Sequence, residues 1–130
     1  MSFLVLVVDD DKGIRYLLRE CLEAAGLCVE EAGDGATAFA RIQLGGIDLV
    51  LSDLRMPGMD GRELLEALSA EPDAPPVVMI TGDYSNDLAA TLMALGARAC
   101  LPKPFDGRDL VRVVMANLNL FPPIRRRRAA

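Results

Sequence analysis

An aspartate that follows a short apolar run is the side chain in this sequence best placed to do chemistry. Residues 49–51 are all aliphatic, which is typical of a strand buried on both faces of a parallel sheet, and Asp53 stands just beyond them. Pro57, Gly58 and Gly61 follow and predict a loop without regular structure. We therefore expect Asp53 to lie where the strand ends, which is where ligands bind in open α/β sheets.

Four more polar side chains stand at the ends of other predicted strands. Asp9 and Asp10 follow the first strand. Thr81 ends the fourth strand and Lys103 follows the fifth. Because the carboxyl ends of parallel strands share one edge of a sheet, these groups should lie close to Asp53. Crowded carboxylates repel each other unless a cation lies among them, and oxygen ligands suit Mg²⁺ or Mn²⁺. A hydroxyl and an ammonium group suit a phosphoryl group, so the set predicts phosphoryl transfer onto a carboxylate.

The rest of the sequence supplies the elements that would position these groups. Strands are predicted at residues 3–8, 27–29, 49–53, 77–81 and 99–101. Helical patterns follow them, with apolar positions within 14–25, 36–42, 64–68, 88–95 and 110–118. Asp11 is expected to cap the first helix rather than to bind a metal, and Ser85 or Asn86 to begin the fourth. Five β-then-α units predict an α/β fold with a single doubly wound, five-stranded parallel sheet in the order 2-1-3-4-5 and five helices on two faces.

The composition narrows the classes of function. The chain has 130 residues, 52% of them apolar and 25% charged, which is typical of one globular domain. A net charge of −5 argues against nucleic acid as the partner of the domain. Three cysteines and no histidine provide neither a disulfide framework nor the usual ligands of zinc, copper or haem. The first residues lack the basic leader of a signal peptide and no run is long enough to span a membrane, so we expect a cytoplasmic protein.

The end of the sequence differs in character from the rest. Residues 1–120 are predicted to form the domain, and residues 121–130 a Pro- and Arg-rich tail or truncated linker. Residues 125–128 are all arginine, and a block of like charges is usually solvated. Contact of this tail with nucleic acid or with an acidic partner is the alternative.

Four segments of the chain resemble the motifs of bacterial response-regulator receiver domains. They are residues 6–11 (LVVDDD), 51–61 (LSDLRMPGMDG), 80–82 (ITG) and 101–106 (LPKPFD). The resemblance extends over about residues 3–118 and implies the flavodoxin-like fold of the chemotaxis regulators. It also implies a function, that of a phosphoacceptor switch in a two-component system or phosphorelay.

The resemblance assigns a role to each residue at the predicted sheet edge. Asp53 would be the phosphoacceptor, forming an acyl phosphate. Mg²⁺ would be bound by Asp10, by Asp53 and by the backbone carbonyl of Arg55. Asp9 would complete this metal site through bound water and by orienting Lys103.

The remaining implied roles concern the phosphoryl group and its surroundings. Thr81 and Lys103 would bind phosphoryl oxygens, and the peptide bond between Lys103 and Pro104 would be cis. Gly82 would leave room for Thr81 to approach the phosphate. Arg55 and Asp83, two residues beyond the acceptor and the threonine, would modulate the lifetime of the acyl phosphate. The domain would promote its own phosphorylation and dephosphorylation without being a stand-alone enzyme.

The sequence departs from the family at Cys100, where receiver domains usually have Tyr or Phe. In the family that aromatic residue forms a switch with the threonine, so the aromatic half of the switch is absent here, whereas the phosphorylation chemistry does not depend on it. We hypothesise that signalling relies instead on the loop at residues 82–84 or on a partner that reads the site directly. Cys100 is expected to be a small buried hydrophobe, with a redox sensor as the alternative.

The resemblance also implies partners and leaves alternatives open. A sensor histidine kinase or phosphotransfer protein would donate the phosphoryl group, because the chain has no histidine of its own. The surface formed by helix four, strand five and helix five would act on an effector protein or on an output domain absent from this sequence, and a phosphorylation-linked homodimer is left open. One alternative is an aspartyl-nucleophile phosphatase, although Arg55 stands where such an enzyme needs a second acid. Another is a non-phosphorylated interaction module, and a nucleotide-binding domain is disfavoured because no Gly-rich loop follows a strand.

Overall fold

The chain folds into one parallel sheet with helices on both faces, as a computed structural model that describes residues 2–82 and 85–118 shows. The five strands lie in the order β2-β1-β3-β4-β5, and every neighbouring pair is parallel. This confirms the predicted α/β class, the strand order and the five helices. The elements in chain order are β1 Leu4–Val8, α1 Lys12–Ala24, β2 Cys28–Ala32, α2 Gly35–Gln43, β3 Leu49–Asp53, α3 Gly61–Leu68, β4 Val77–Thr81, α4 Asn86–Ala94, β5 Ala99–Pro102 and α5 Gly107–Asn117.

Two apolar clusters cover the two faces of the sheet. Successive residues of a strand point to opposite faces, so in β1 Val5 and Val7 join one cluster while Leu6 and Val8 join the other. The first cluster packs against α1 and α5, and the second against α2, α3 and α4. All five residues of β3 and of β4 are buried. The central strands are therefore held on both faces, which fixes where their carboxyl ends lie.

Each helix begins at an Asp or Ser whose side chain accepts a hydrogen bond from the helix backbone. Asp11 accepts from the N–H groups of Gly13 and Ile14, which confirms that it caps α1. Ser85, rather than Asn86, caps α4. The other three caps are Asp34, Asp60 and Asp106. Because these caps stand directly before the helices, they set the lengths of the loops that carry the polar residues.

The second strand was predicted with the wrong extent. It covers Cys28–Ala32 rather than residues 27–29, so Glu30 and Glu31 lie within the strand. Both acids are paired with arginines of neighbouring helices, Glu30 with Arg41 at 2.6 Å. An edge strand tolerates such acids because its side chains can reach outward to partners, and those partners depend on the tertiary fold.

Leu17 is a further difference from the sequence pattern. Its helical spacing placed it with the apolar positions of α1, but 59% of it is exposed, as is 59% of Tyr16. The sheet-facing side of α1 is taken by Leu18 and Leu22 instead. Among the described residues, no helix is both long and apolar enough to cross a membrane. The predictions for Asp83, for the loop residue Tyr84 and for the tail at 121–130 fall outside the described residues.

Candidate functional site

Asp53 is the last residue of β3, as predicted, and the residue is buried. Its position is fixed on both sides, because Leu54 N–H donates to the carbonyl of Ile80 at 3.0 Å and β3 lies between β1 and β4. The loop that follows is short and turns at Gly58, where φ is +72°. It ends at Asp60, which caps α3 in a capping box with Glu63. The acceptor candidate thus lies on a rigid strand between two tightly held segments.

Gly61 was predicted to lie in an irregular loop, and this was wrong. It is the first residue of α3, and a Cβ atom built on it would collide with the backbone carbonyl of Asp53. The same atom would lie 2.9 Å from Leu54 Cα and from Met79 Cε. Glycine therefore lets α3 begin directly against the end of β3. Sequence reasoning treated this glycine as a loop former because the close contact depends on tertiary packing.

A second glycine holds the other side of the same loop. Gly35, at the start of α2, donates its N–H to the carbonyl of Met59 at 3.2 Å. A Cβ atom at Gly35 would lie 2.5 Å from that carbonyl oxygen and 2.8 Å from Met59 Cγ. The loop after Asp53 is therefore enclosed between the starts of two helices, which restrains the backbone of residues 54–60.

Three carboxylates meet beside the end of β3. Asp9, Asp10 and Asp53 each offer one oxygen atom, and these atoms all lie within 4.8 Å of one another. Asp9 and Asp53 are buried, whereas Asp10 is exposed. This juxtaposition confirms the geometric part of the prediction, namely that the acids after the first and third strands share one place.

Asp9 is the acid most affected by its surroundings. Burial raises the pKa of its carboxyl above the ordinary value, and the charges of Asp53 and Asp10 raise it further. The hydrogen bond from Asp11 N–H, 2.8 Å from Asp9 Oδ1, and the charge of Lys103 oppose this shift of the pKa. Within residues 2–82 and 85–118, the buried Oδ2 atom of Asp9 has no hydrogen-bond partner.

The chemistry of this cluster fits a hard divalent cation. Its donors are all carboxylate oxygens, and one of them is buried without a hydrogen-bond donor among the described residues. Buried carboxylate oxygens normally have a hydrogen-bond donor or a cation beside them. The cluster consists of the side chains of Asp9, Asp10 and Asp53, so the predicted participation of the Arg55 carbonyl stays a prediction.

Lys103 and Thr81 lie on the other side of Asp53. The Nζ atom of Lys103 is 2.9 Å from Oδ1 of Asp53, and the peptide bond between Lys103 and Pro104 is cis, as predicted. Thr81 is buried at the end of β4, and its carbonyl accepts the N–H of Lys103 at 2.9 Å. A cavity of about 340 Å³ lies between them and is lined by Asp53, Leu54, Arg55, Thr81, Gly82 and Lys103.

The remaining predicted site residues occupy different positions. Arg55 and Gly82 are exposed at the rim of the cavity. A Cβ atom at Gly82 would lie 3.9 Å from Lys103 Cβ, which is an ordinary contact. Cys100 is half-buried on β5, packs against the cluster beneath α2, α3 and α4, and does not line the cavity.

Comparison with known sequences identifies the family. The family model of the response regulator receiver domain matches residues 5–115. The chain belongs to this family. The receiver domain is 39% identical over 111 residues to the DNA-binding transcriptional regulator NtrC of Escherichia coli K12, which covers 85% of this chain and 24% of NtrC. It is 33% identical over 118 residues to the C4-dicarboxylate transport regulatory protein DctR of Rhodobacter capsulatus, which covers 89% of this chain and 60% of DctR.

Solved structures show the same fold. The receiver domain matches the chemotaxis protein CheY4 of Vibrio cholerae with a TM-score of 0.83 and 33% identity, over 91% of this chain and all of that one. It matches the receiver domain of NtrX from Brucella abortus with a TM-score of 0.82 and 32% identity, over 89% and 98% of the two chains. The chain spans about a quarter of the NtrC proteins that it matches.

A groove beside the receiver-domain site has an apolar lining. It has a volume of about 540 Å³ and lies between α1 and the segment after β5. Ile14, Leu17 and Cys21 line one side, and Pro104 and Phe105 line the other. Lys103 lines both this groove and the cavity at Asp53. The exposure of Leu17, unexpected from the sequence pattern, is thus part of an apolar surface next to the candidate acceptor.

Proposed function

We propose that Asp53 accepts a phosphoryl group and that this receiver domain thereby acts as a switch. The observation that carries the proposal is the position of the Asp53 carboxylate between an acidic cluster and the ammonium group of Lys103, 2.9 Å away. One carboxylate oxygen forms a bond to phosphorus, the bond from phosphorus to the donor breaks, and the donor leaves with the electron pair. Such transfer depends on positioning and charge neutralisation more than on an acid or a base.

Asp9, Asp10 and Asp53 are the residues that would hold Mg²⁺ or Mn²⁺, with the carbonyl of Arg55 as a further ligand. The cation would neutralise charge on the phosphoryl oxygens. Lys103 would neutralise charge as well, since its ammonium group already contacts Asp53. The hydroxyl of Thr81, at the wall of the same cavity, donates a hydrogen bond to a phosphoryl oxygen. Arg55, Gly82 and Asp83 modulate how readily water reaches the acyl phosphate.

The phosphoryl donor is a sensor kinase or phosphotransfer protein that contacts the apolar groove between α1 and Phe105. This groove adjoins the site through Lys103 and exposes Leu17, which suits an apolar protein surface. Replacing Leu17 with Arg should slow transfer from a protein donor and leave transfer from acetyl phosphate unchanged. Leu44→Arg is the matched control, because Leu44 is 82% exposed at the end of α2 and lies outside the groove.

The surface of α4, β5 and α5 reports the modification. The carbonyl of Thr81 holds Lys103 N–H at the end of β5, so a displacement of Thr81 is passed to β5 through the main chain. Cys100 lacks the ring that receiver domains usually have at this position, so the main chain and the loop at residues 82–84 carry the change, or a partner reads the site directly. The changed surface acts on an effector protein or on an output domain. The receiver domain itself comprises residues 1–120, and residues 121–130 form a tail or linker. A phosphorylation-linked dimer is tested in the same samples.

Two experiments test the proposal. Intact-mass spectrometry follows incubation of the protein with acetyl phosphate in the presence of Mg²⁺ or of EDTA. Backbone NMR follows the addition of beryllofluoride. We expect one added phosphoryl group only with Mg²⁺, and amide shift changes in α4 and β5. Absence of the mass change under both conditions would favour a non-phosphorylated interaction module. Continuous turnover of a phosphate ester would favour a phosphatase, which the position of Arg55 at the cavity argues against. Size-exclusion chromatography of these samples measures dimer formation.

A further inference from the structure

Arg15, on the first turn of α1, connects the acidic loop to the edge strand of the sheet. Its Nη1 group donates to the backbone carbonyl of Asp9 at 2.7 Å, and its Nε group donates to Glu31 at 2.9 Å. The arginine side chain is 17% exposed. It is thus a largely buried side chain that contacts the main chain of the loop carrying two of the three carboxylates.

The bond to the Asp9 carbonyl acts on both acids of this loop. The carbonyl of Asp9 and the N–H of Asp10 belong to one planar peptide group. Holding that carbonyl in place therefore fixes the plane that joins the Cα atoms of the two acids. The other side of Asp9 is fixed too, because its N–H donates to the carbonyl of Ala32 at 3.1 Å. Strand β2 thus holds the loop directly, and it also holds it indirectly through Glu31 and Arg15.

Arg19 provides a comparison within the same network. It donates to Glu31 at 2.7 Å and to Glu23 at 2.9 Å, as an ordinary surface ion-pair residue does. Both arginines therefore share Glu31, but the hydrogen bond to the backbone of Asp9 comes from Arg15. If the two arginines served only to pair with Glu31, replacing either of them should have the same effect on metal binding.

We propose that Arg15 is a positioning residue for the metal-binding acids, which holds the Asp9–Asp10 peptide so that both carboxylates face Asp53. This inference rests on the proposed function, because it assigns to the acidic cluster the binding of a divalent cation. Residues that orient metal ligands are typically worth about 10- to 100-fold in metal affinity. Loss of the guanidinium should therefore weaken Mg²⁺ binding while the ligands themselves remain.

The test compares Arg15→Met with Arg19→Met in the full chain. Mg²⁺ titrations are monitored by calorimetry and by the backbone amide signals of residues 9–11. They should show that the affinity for Mg²⁺ is about tenfold or more lower in Arg15→Met than in the wild type. Arg19→Met should bind Mg²⁺ as the wild type does. The Mg²⁺ concentration that half-saturates phosphorylation by acetyl phosphate should rise for Arg15→Met, while the rate at saturating Mg²⁺ stays close to the wild-type value. Arg15→Lys, which keeps a cationic donor, should recover part of the affinity.

Thermal unfolding in EDTA separates the positioning role from simple stability. Both arginine variants lose a pairing with Glu31 and should show similar small decreases in Tm without metal. Wild-type affinity in Arg15→Met, or an equal loss in Arg19→Met, would overturn the inference. If the wild type itself bound no Mg²⁺, the proposed metal site would fail, a result distinct from failure of Arg15 alone.

Discussion

The Nζ atom of Lys103 lies 2.9 Å from Oδ1 of Asp53, although 50 positions separate the two residues in the chain. The side chain of Lys103 is 35% exposed and that of Asp53 is 11% exposed, so the pair is shielded on one side and open to the cavity on the other. The lysine is therefore positioned before any phosphoryl group arrives, and it needs only a local change to contact one.

Replacing Lys103 with Met should separate stability from reactivity. The pair is partly exposed, so we expect the free energy of unfolding to fall by about 1 kcal/mol or less. The rate of phosphorylation by acetyl phosphate should fall by about a hundredfold, because a preorganised charge at the reacting group is lost. Urea unfolding and intact-mass kinetics measure the two effects.

The control for this change is Arg112→Met on α5, which removes one positive charge from a side chain that is 71% exposed. It should affect neither quantity. A wild-type phosphorylation rate for Lys103→Met would contradict the assigned role of the lysine.

The raised pKa of Asp9 predicts how stability depends on pH. Because burial and the neighbouring acids raise its pKa in the folded state, the folded protein binds a proton at Asp9 more tightly than the unfolded chain does. Its contribution to stability is therefore largest below the unfolded value of 3.8 and is lost as pH rises through the folded-state pKa. At neutral pH without Mg²⁺, the ionised Asp9 lowers stability.

Asp9→Asn should accordingly raise the Tm of the metal-free protein at neutral pH, since the amide oxygen can still accept Asp11 N–H. The gain should shrink as the pH approaches 3.8, and the variant should lose the stabilisation that Mg²⁺ gives the wild type. Calorimetric melting curves with EDTA and with Mg²⁺ over a pH series measure this. Equal Tm values for the metal-free wild type and Asp9→Asn at neutral pH would show that the ionised Asp9 does not lower stability.

Because Gly61 lies against the carbonyl of Asp53, we expect that replacing this glycine destabilises the protein. Gly61→Ala should lower the free energy of unfolding by about 1–3 kcal/mol, because the added methyl group overpacks the junction of β3 and α3. The displaced strand end should also slow phosphorylation. Denaturant unfolding and mass kinetics would detect both changes.

Gly33→Ala is the matched control, since a Cβ atom there meets Arg15 Nη1 at 3.5 Å, an ordinary contact. It should leave stability nearly unchanged. A Gly61→Ala variant as stable as Gly33→Ala would mean that α3 can shift without cost.

The sequence was sufficient to predict the fold and the convergence of the polar groups. Parallel strands bring their carboxyl ends to one edge, so Asp9, Asp53 and Thr81 could be placed together from strand ends alone. The sequence did not reveal what depends on three-dimensional contact between distant segments. The close approach at Gly61, the hydrogen bond from Arg15 to Asp9 and the exposure of Leu17 are of this kind, because each is decided by how a helix packs against the sheet.

Cys100 provides a test of whether a thiol at this position is reactive. Burial raises the pKa of its thiol, so little thiolate is present at neutral pH, whereas Cys28 is exposed on the edge strand. Limited alkylation at pH 7 followed by peptide mass mapping should label Cys28 first and Cys100 slowly. Preferential labelling of Cys100 would support the redox alternative over a packing role.

The central claim is that Asp53 carries the phosphoryl group, and intact-mass analysis of two variants tests it most directly. Asp48, which directly precedes β3, is a matched acid whose carboxylate accepts Leu4 N–H at 2.8 Å. After incubation with acetyl phosphate and Mg²⁺, the wild type and Asp48→Asn should each gain the mass of one phosphoryl group, and Asp53→Asn should gain none. Retention of the added mass in Asp53→Asn, at the level of the wild type, would contradict the account.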